Sequence, residues 1–203
     1  MALIVGEGYF ICNGALLILF ISLCLHHRAF GRMFRRCVFE LEDPNRDAFE
    51  VLRVIHDFHK TIKGWFSETS EVYSPYILVQ LIFTVLMMIC LLFQLDLELN
   101  HIDFNINIIL LTFATSASNL FIYCYFGKMA TESYAQISDC LFESNWYTHP
   151  VNLQKHFILL IANAQTSLFY HGFGFTVLNL QTFNTMFRTV ITYYMGLKTL
   201  TSK

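Results

Sequence analysis

The sequence predicts an all-α membrane protein, a bundle of about four transmembrane helices with cytosolic helical extensions. Three observations carry that prediction. First, 55% of the 203 residues are hydrophobic and only 14% are charged, where a soluble domain carries roughly a quarter charged residues. Second, the apolar residues gather into stretches of about 20 or more, the length a helix needs to cross the hydrocarbon core. Third, Lys and Arg alternate between the connections in the way that fixes membrane orientation.

The same composition excludes other classes. Three Pro and nine Gly in a chain of mean hydropathy +0.49 suit neither a disordered nor a fibrous protein. A net charge of −2 with no basic tract argues against a nucleic-acid partner. Cys12, Cys24, Cys37, Cys90, Cys124 and Cys140 form no C-x-x-C pair and no metal-binding spacing with His. They sit in or beside apolar stretches as small hydrophobes, so no metal and no other cofactor is expected. The start, MALIVGEGYF, lacks a basic region, is interrupted by Glu7, and reads poorly as a signal peptide.

Along the chain, 2–25 is the first expected span, and 26–75 is an expected cytosolic helical segment. Within it Phe49, Leu52, Ile55, Phe58, Ile62 and Trp65 recur at helical spacing after a Pro44–Asn45 turn, which predicts an amphipathic helix. His56, Asp57, His59 and Lys60 mark its solvated face, and His56 and His59 lack further ligands for a metal. SETSEVYSP, at 67–75, is expected to end this helix. The second span is 76–95, an extracellular loop follows at 96–103, and the third span is 104–126. A cytosolic extension with an anchor helix covers 127–171, the last crossing covers 172–198, and an extracellular tail covers 199–203. YHGFGF, at 170–175, is an expected break.

Charge orients these spans. Arg28, Arg32, Arg35, Arg36, Arg46, Arg53, Lys60 and Lys63 lie between the first two, and Lys128 and Lys155 between the last two. The middle connection, DLELNHID, has neither Lys nor Arg. The first and third connections are therefore expected in the cytosol, with both chain ends outside.

The last crossing carries a polar stripe. Gln181, Thr185, Arg188, Thr192, Gly196 and Thr199 follow at steps of three and four, one face of a helix. Leu180, Phe183, Phe187, Val190, Ile191, Tyr194 and Leu197 take the other faces. Two readings fit the stripe: a pore wall built from several copies around an axis, or a seam between packed helices. Arg188 is either a functional intramembrane charge or a side chain that snorkels to the helix end. No phosphate-binding or nucleophile-and-base motif stands out, so no enzyme is expected.

The paired residues Phe126-Gly127, Glu132-Ser133, Trp146-Tyr147 with Pro150, Gln154-Lys155 and Ala164-Gln165 are followed by Gly172, Phe175, Leu178, Leu180, Thr182-Phe183 and Thr192-Tyr193-Tyr194. In that order the segment resembles the C-terminal part of insect odorant receptors. The upstream helix with His56 and the span after it resemble the family too, so the likeness covers essentially the whole chain. TYYMGLKT lacks the Gln of the TYxxxxxQ-like ending found in the related gustatory receptors.

The resemblance implies a seven-span receptor of which this chain holds the last four spans, S4 to S7. It implies an odorant-gated cation channel in the dendritic plasma membrane of olfactory neurons, a heterotetramer with a shared co-receptor, with the C-terminus outside. Its ligand is a small volatile odorant, and Tyr9, Phe10 and Asn13 on S4 with Ile109, Thr112, Phe113 and Ser116 on S6 are the implied pocket walls. Gln181, Thr185, Arg188, Thr192, Gly196, Thr199 and Leu200 are the implied pore lining, with the outer gate near Gly196, Thr199 and Leu200. Trp146, Tyr147, Pro150, Gln154, Lys155 and Gln165 are the implied subunit anchor, with Phe157, Leu160, Ile161 and Ala164 packing on neighbours. Because Met1 falls inside what resembles S4, a second expectation stands beside this one. A truncated subunit lacking the first three spans could join the co-receptor, bind no odorant, and be inert or dominant-negative.

Overall fold

Helices account for nearly all of the computed structural model, which describes residues 2–39, 48–98, 105–166, 168–172, 174 and 176–201, without the side chains of 2–12, 48, 97, 98, 105 and 201. Helix α1 is Ala2–Phe39, α2 is Ala48–Glu98 and α3 is Asn105–Glu143. A 3-10 turn, Trp146–Thr148, leads to α4, Val151–Ala164. The short strands β1, His171–Gly172, and β2, Thr176–Val177, precede α5, Leu180–Thr201. The chain divides into two compact units, Met1–Val72 with Gly127–Tyr170, and Tyr73–Phe126 with His171–Lys203.

Among the described residues α1, α2 and α3 are long and apolar enough to cross a membrane. The 22-residue α5 has the length, but its polar stripe leaves it less apolar than the other three. A helix of 51 residues, such as α2, is far longer than one crossing requires, since about 20 residues span the hydrocarbon core. Likewise α1 runs on past residue 25 and α3 past residue 126, the ends expected for their spans.

SETSEVYSP does not end a helix: α2 passes through it with Pro75 inside. A mid-helix proline removes one hydrogen bond and crowds the preceding turn, at a cost of about 3 kcal/mol. Buried residues on both sides, Phe66 and Ser70 before it and Ile77 and Leu81 after it, hold the helix across the break. The turn expected at Pro44–Asn45 and most of the acidic loop 96–103 lie outside the described residues.

The first unit is built on a shared core. Leu52, Ile55, Ile62 and Phe66 of α2 are buried, together with Phe34 and Val38 of α1 and Ile137 and Leu141 of α3. The buried stripe of α2 includes His59 and leaves Phe49 exposed, so the expected face is rotated by part of a turn. Helix α4 completes the core with Leu153, Phe157, Leu160, Ile161 and Ala164. Full burial of a Leu or Phe side chain stabilises by roughly 1.5–3 kcal/mol, so this one face is enough to hold α4 on its own chain. Phe157, Leu160, Ile161 and Ala164 therefore pack within the chain.

At the expected break, β1 and β2 form an antiparallel hairpin pairing His171 with Val177 and Gly172 with Thr176. Gly174 turns it at φ +76°, a left-handed conformation that residues with a Cβ rarely adopt. Asn179 then caps α5, its Oδ1 accepting from Thr182 N–H at 2.7 Å, while Thr182 Oγ1 donates to Val177 O at 2.6 Å. The last crossing expected at 172–198 thus resolves into hairpin, cap and helix, and 199–201 of the expected tail continue α5.

Helices α1 and α3 approach closely where Gly31 meets Ser133: a Cβ on Gly31 would lie 3.0 Å from the Ser133 carbonyl oxygen. That oxygen belongs to the backbone and cannot swing aside. Gly31→Leu should cost about 1–3 kcal/mol by overpacking and lower the melting temperature of the detergent-solubilised protein by several degrees. A melting temperature equal to the parent's would show that the two helices separate there without penalty.

Candidate functional site

Helix α5 turns its aromatic side inward. Phe183 sits edge-on to Phe121 of α3, with ring centroids 5.6 Å apart, and Phe187 meets Phe113 of α3 at 6.4 Å. Val190 is fully buried. The opposite side is uncovered: Gln181, Thr185, Arg188, Thr192, Gly196, Thr199 and Leu200 are all exposed. Among the described residues of the second unit, the polar stripe is therefore not a seam against another helix.

Its hydroxyls are satisfied within the helix. Thr185 Oγ1 donates to Gln181 O at 3.0 Å, Thr192 to Arg188 O at 2.9 Å and Thr199 to Gly196 O at 2.8 Å. Each threonine thus keeps its proton on the backbone and presents oxygen lone pairs outward. Arg188 has no ion-pair partner among the described residues. Gln181 and Thr185 also line a groove of about 650 Å³ between α5 and the Leu81, Ile82, Val85 and Leu86 face of α2.

Near its C-terminal end, α5 is tied to α2. Lys198 Nζ lies 2.6 Å from Asp96 Oδ1 and 5.9 Å from the Tyr194 ring centroid. Asp96 and Lys198 stand 102 residues apart, beyond the reach of any spacing argument.

Of the implied pocket residues, Tyr9 and Phe10 lie in α1 with side chains outside the described residues. Asn13 is buried in the first unit. The others belong to the second unit. Ile109 is buried there, and Phe113 is engaged with Phe187. Thr112 Oγ1 donates to Ile108 O at 2.8 Å and Ser116 Oγ to Thr112 O at 2.9 Å. As on α5, these hydroxyls offer lone pairs while their protons stay on the helix.

The implied anchor residues divide into two kinds. Trp146 packs against the core of the first unit, whereas Tyr147, Pro150, Lys155 and Gln165 are exposed. Pro150 occupies the N-cap of α4, and its carbonyl accepts from Leu153 N–H at 2.9 Å and Gln154 N–H at 3.1 Å. Gln154 Nε2 donates to the carbonyls of Tyr147 and His149, both at 2.8 Å. Gln154 is thus an internal brace between the 3-10 turn and α4. A second apolar face of α4 was not singled out by sequence spacing: Val151 is 66% exposed, Ile158 52% and Leu159 63%. The run HFILLIA does carry the signal, being apolar around more than one side of the helix.

His59, expected on a solvated face, is buried and shares a hydrogen bond with Tyr134, Nε2 to Oη 3.1 Å, joining α2 to α3. It lies well ahead of the expected span 76–95.

Comparison with known proteins follows the same outline. The family model described as 7tm Odorant receptor matches residues 4–191. Odorant receptor 82a of Drosophila melanogaster is 24% identical over 186 residues, which is 90% of this chain and 47% of that protein. The structure of the insect olfactory receptor OR5 from Machilis hrabei matches with a TM-score of 0.69 at 18% identity, over 92% of this chain and 47% of that one. The same receptor in complex with eugenol matches with a TM-score of 0.72 at 17% identity, over 93% and 48%. The structural likeness is one of fold, and the chain spans about half the length of the relatives it matches.

Burial, and then the charges of Lys63 and His56, lower the His59 pKa from 6.5 to about 4. A depressed histidine pKa contributes stability that is whole above the unfolded value and is lost as pH falls toward the folded one. Melting temperature should therefore fall between pH 6.5 and 4, and His59→Gln should reduce that fall. An identical pH profile for His59→Gln would remove His59 as a cause.

Proposed function

We propose that this chain, which belongs to the 7tm odorant receptor family, is an olfactory receptor subunit that forms an odorant-gated cation channel together with a co-receptor subunit. It is a multi-pass helical membrane protein of a receptor family and not an enzyme. The observation that carries the channel reading is the uncovered polar stripe of α5, six residues from Gln181 to Thr199 that are all exposed. In a bilayer such a stripe needs water or another subunit. Several subunits around one axis supply both, with the stripes turned to the axis and the aromatic sides of α5 turned to α3.

The chemistry of the lining suits cations. Thr185, Thr192 and Thr199 face outward with oxygen lone pairs, which can replace part of a cation's hydration shell. Arg188 opposes cations, and a co-receptor with a different residue in the equivalent place dilutes that opposition. Subunits associate through the first unit, where Val151, Ile158 and Leu159 of α4, with Lys155 and Gln165, form an exposed apolar and polar face.

The ligand class is the small volatile odorant, as eugenol is for the Machilis hrabei receptor. Tyr9, Phe10 and Asn13 on α1 and Ile109, Thr112, Phe113 and Ser116 on α3 are the proposed contacts. Apolar and aromatic walls with a few hydroxyl acceptors match such molecules. An odorant opens the channel only by binding the open arrangement more tightly than the closed one. In this reading the subunit works in the dendritic plasma membrane of the olfactory neuron with its C-terminus outside.

Odorant-evoked currents in cells that make this protein together with co-receptor are the direct test. Arg188→Gln should raise inward cation current and weaken outward rectification. Unchanged currents at equal surface expression would remove Arg188 from the pore. Leu159→Asp should cut co-precipitation of co-receptor severalfold while leaving the protein's own melting temperature near the parent's. Undiminished co-precipitation would show that this face of α4 does not join subunits.

A further inference from the structure

The chain passes between its two units at three places. Val72–Tyr73 lies inside α2 and Phe126–Gly127 inside α3, each an unbroken helix. The third, Tyr170–His171, lies outside any helix and leads directly to the hairpin and α5. Whatever holds Tyr170 therefore holds the lead-in to α5.

Tyr170 is fully buried in the first unit. Its ring lies 4.6 Å from Phe66 of α2 and edge-on to Phe20 of α1 at 5.4 Å. Its hydroxyl is 3.2 Å from Thr69 Oγ1, and the neighbouring Phe169 carbonyl accepts from Ser70 Oγ at 3.3 Å. Two consecutive residues of the lead-in are thus fastened to two consecutive residues of α2.

The proton arrangement follows from Thr69. Its hydroxyl donates to the carbonyls of Trp65 and Phe66, at 2.8 and 3.0 Å. Oγ1 is then an acceptor toward both other neighbours. The Tyr170 hydroxyl donates to it, and His27, whose Nε2 is 3.5 Å away, carries its proton on that nitrogen. His27 Nδ1 is left as a bare acceptor. It has no hydrogen-bond partner among the described residues, although His27 is only 4% exposed and lies against the rings of Trp65 and Phe66. Buried polar groups are nearly always paired, and one that is not marks a site of stored cost.

We propose that Tyr170 and Thr69 form a latch, positioned by His27, that holds the lead-in to α5 in the closed channel and releases when the channel opens. The proposal rests on the channel reading. Release breaks the Tyr170–Thr69 and Ser70–Phe169 hydrogen bonds and leaves the aromatic contacts to rearrange, the kind of two-position element that switching requires. Tyr170, Thr69 and His27 touch neither odorant nor permeating ion. They act through the segment that α5 follows.

The test uses the receptor expressed with co-receptor, with current normalised to surface protein and deactivation timed after odorant washout. Tyr170→Phe removes only the hydroxyl and keeps the packing on Phe66 and Phe20. Thr69→Val keeps the shape and removes the acceptor. Each should slow deactivation by roughly three- to tenfold, the factor for one lost hydrogen bond, and raise the current seen without odorant. The double variant should match the single ones, because both remove the same bond. Parental kinetics in both variants, faster deactivation, or additive effects would overturn the latch. So would loss of surface protein in both, which shows a packing role only. A parent with no odorant current overturns the channel reading, and the latch with it. A parent with normal current and unaffected variants overturns the latch alone.

Discussion

Inside a bilayer no water is available to the backbone, so every N–H and C=O must be paired within the segment that crosses. The rest of this structure follows from that constraint. It explains why α1, α2 and α3 run unbroken through their apolar stretches. The side chains obey it as well. Thr84 donates to the Gln80 carbonyl within α2, and Gln80 donates in turn to the Thr84 hydroxyl. Thr112, Ser116, Thr185 and Thr192 bond back to the preceding turn of their own helices. A hydroxyl satisfied in this way can face lipid, a ligand or a water column without an unpaired donor.

Helices longer than the membrane bring a second consequence. In the proposed topology their extensions need a core of their own, and the first unit holds one built from α1, α2, α3 and α4. Helix α4 is amphipathic in an unusual sense. One side is buried with Phe157, and another exposes Val151, Ile158 and Leu159. The buried side is enough to place α4, so the exposed side is not needed for the fold of the single chain. Gln154 fixes the angle at which α4 leaves the 3-10 turn, through its two hydrogen bonds to the carbonyls of Tyr147 and His149. In the proposed assembly, that brace sets the direction in which the exposed face points.

Much of this was legible in the sequence, and the reasons for the rest are physical. Apolar length identified the helices, and charge placement gave their expected order across the membrane. The polar stripe of α5 was legible because a period of three and four residues needs no partner to be seen. Helical spacing likewise found Leu52, Ile55 and Ile62, but it assigned His59 to the wet side. Nothing local shows that Tyr134, 75 residues away, offers a buried hydroxyl to receive it. Local propensity makes Ser74-Pro75 a stop, and the burial of Phe66 and Ile77 on either side, which no local signal shows, carries the helix through it. Gln154 read as a contact for another subunit because a helix-surface amide looks the same whether it bonds a partner or its own turn. The pairs Asp96–Lys198 and Tyr76–Tyr123, the latter with hydroxyls 3.0 Å apart, join distant parts of the chain and leave no trace in spacing.

The polar stripe and the lead-in to α5 bear on one question: how a helix can be both held and movable. Toward α3, α5 is held by Phe183, Phe187 and Val190, contacts without direction that tolerate sliding. At its start it is held by directional bonds, the Asn179 cap and the Thr182 hydroxyl on Val177. Near its end it is held by an ion pair that salt screens. These directional attachments gather at the first turn of the helix, and the helix body rests on aromatic surfaces. A ligand signal reaching the lead-in acts on directional bonds, each worth about one hydrogen bond, while the aromatic packing along α5 can remain largely intact. In the proposed channel this arrangement allows a modest difference in odorant affinity between two states to move a whole pore-lining helix.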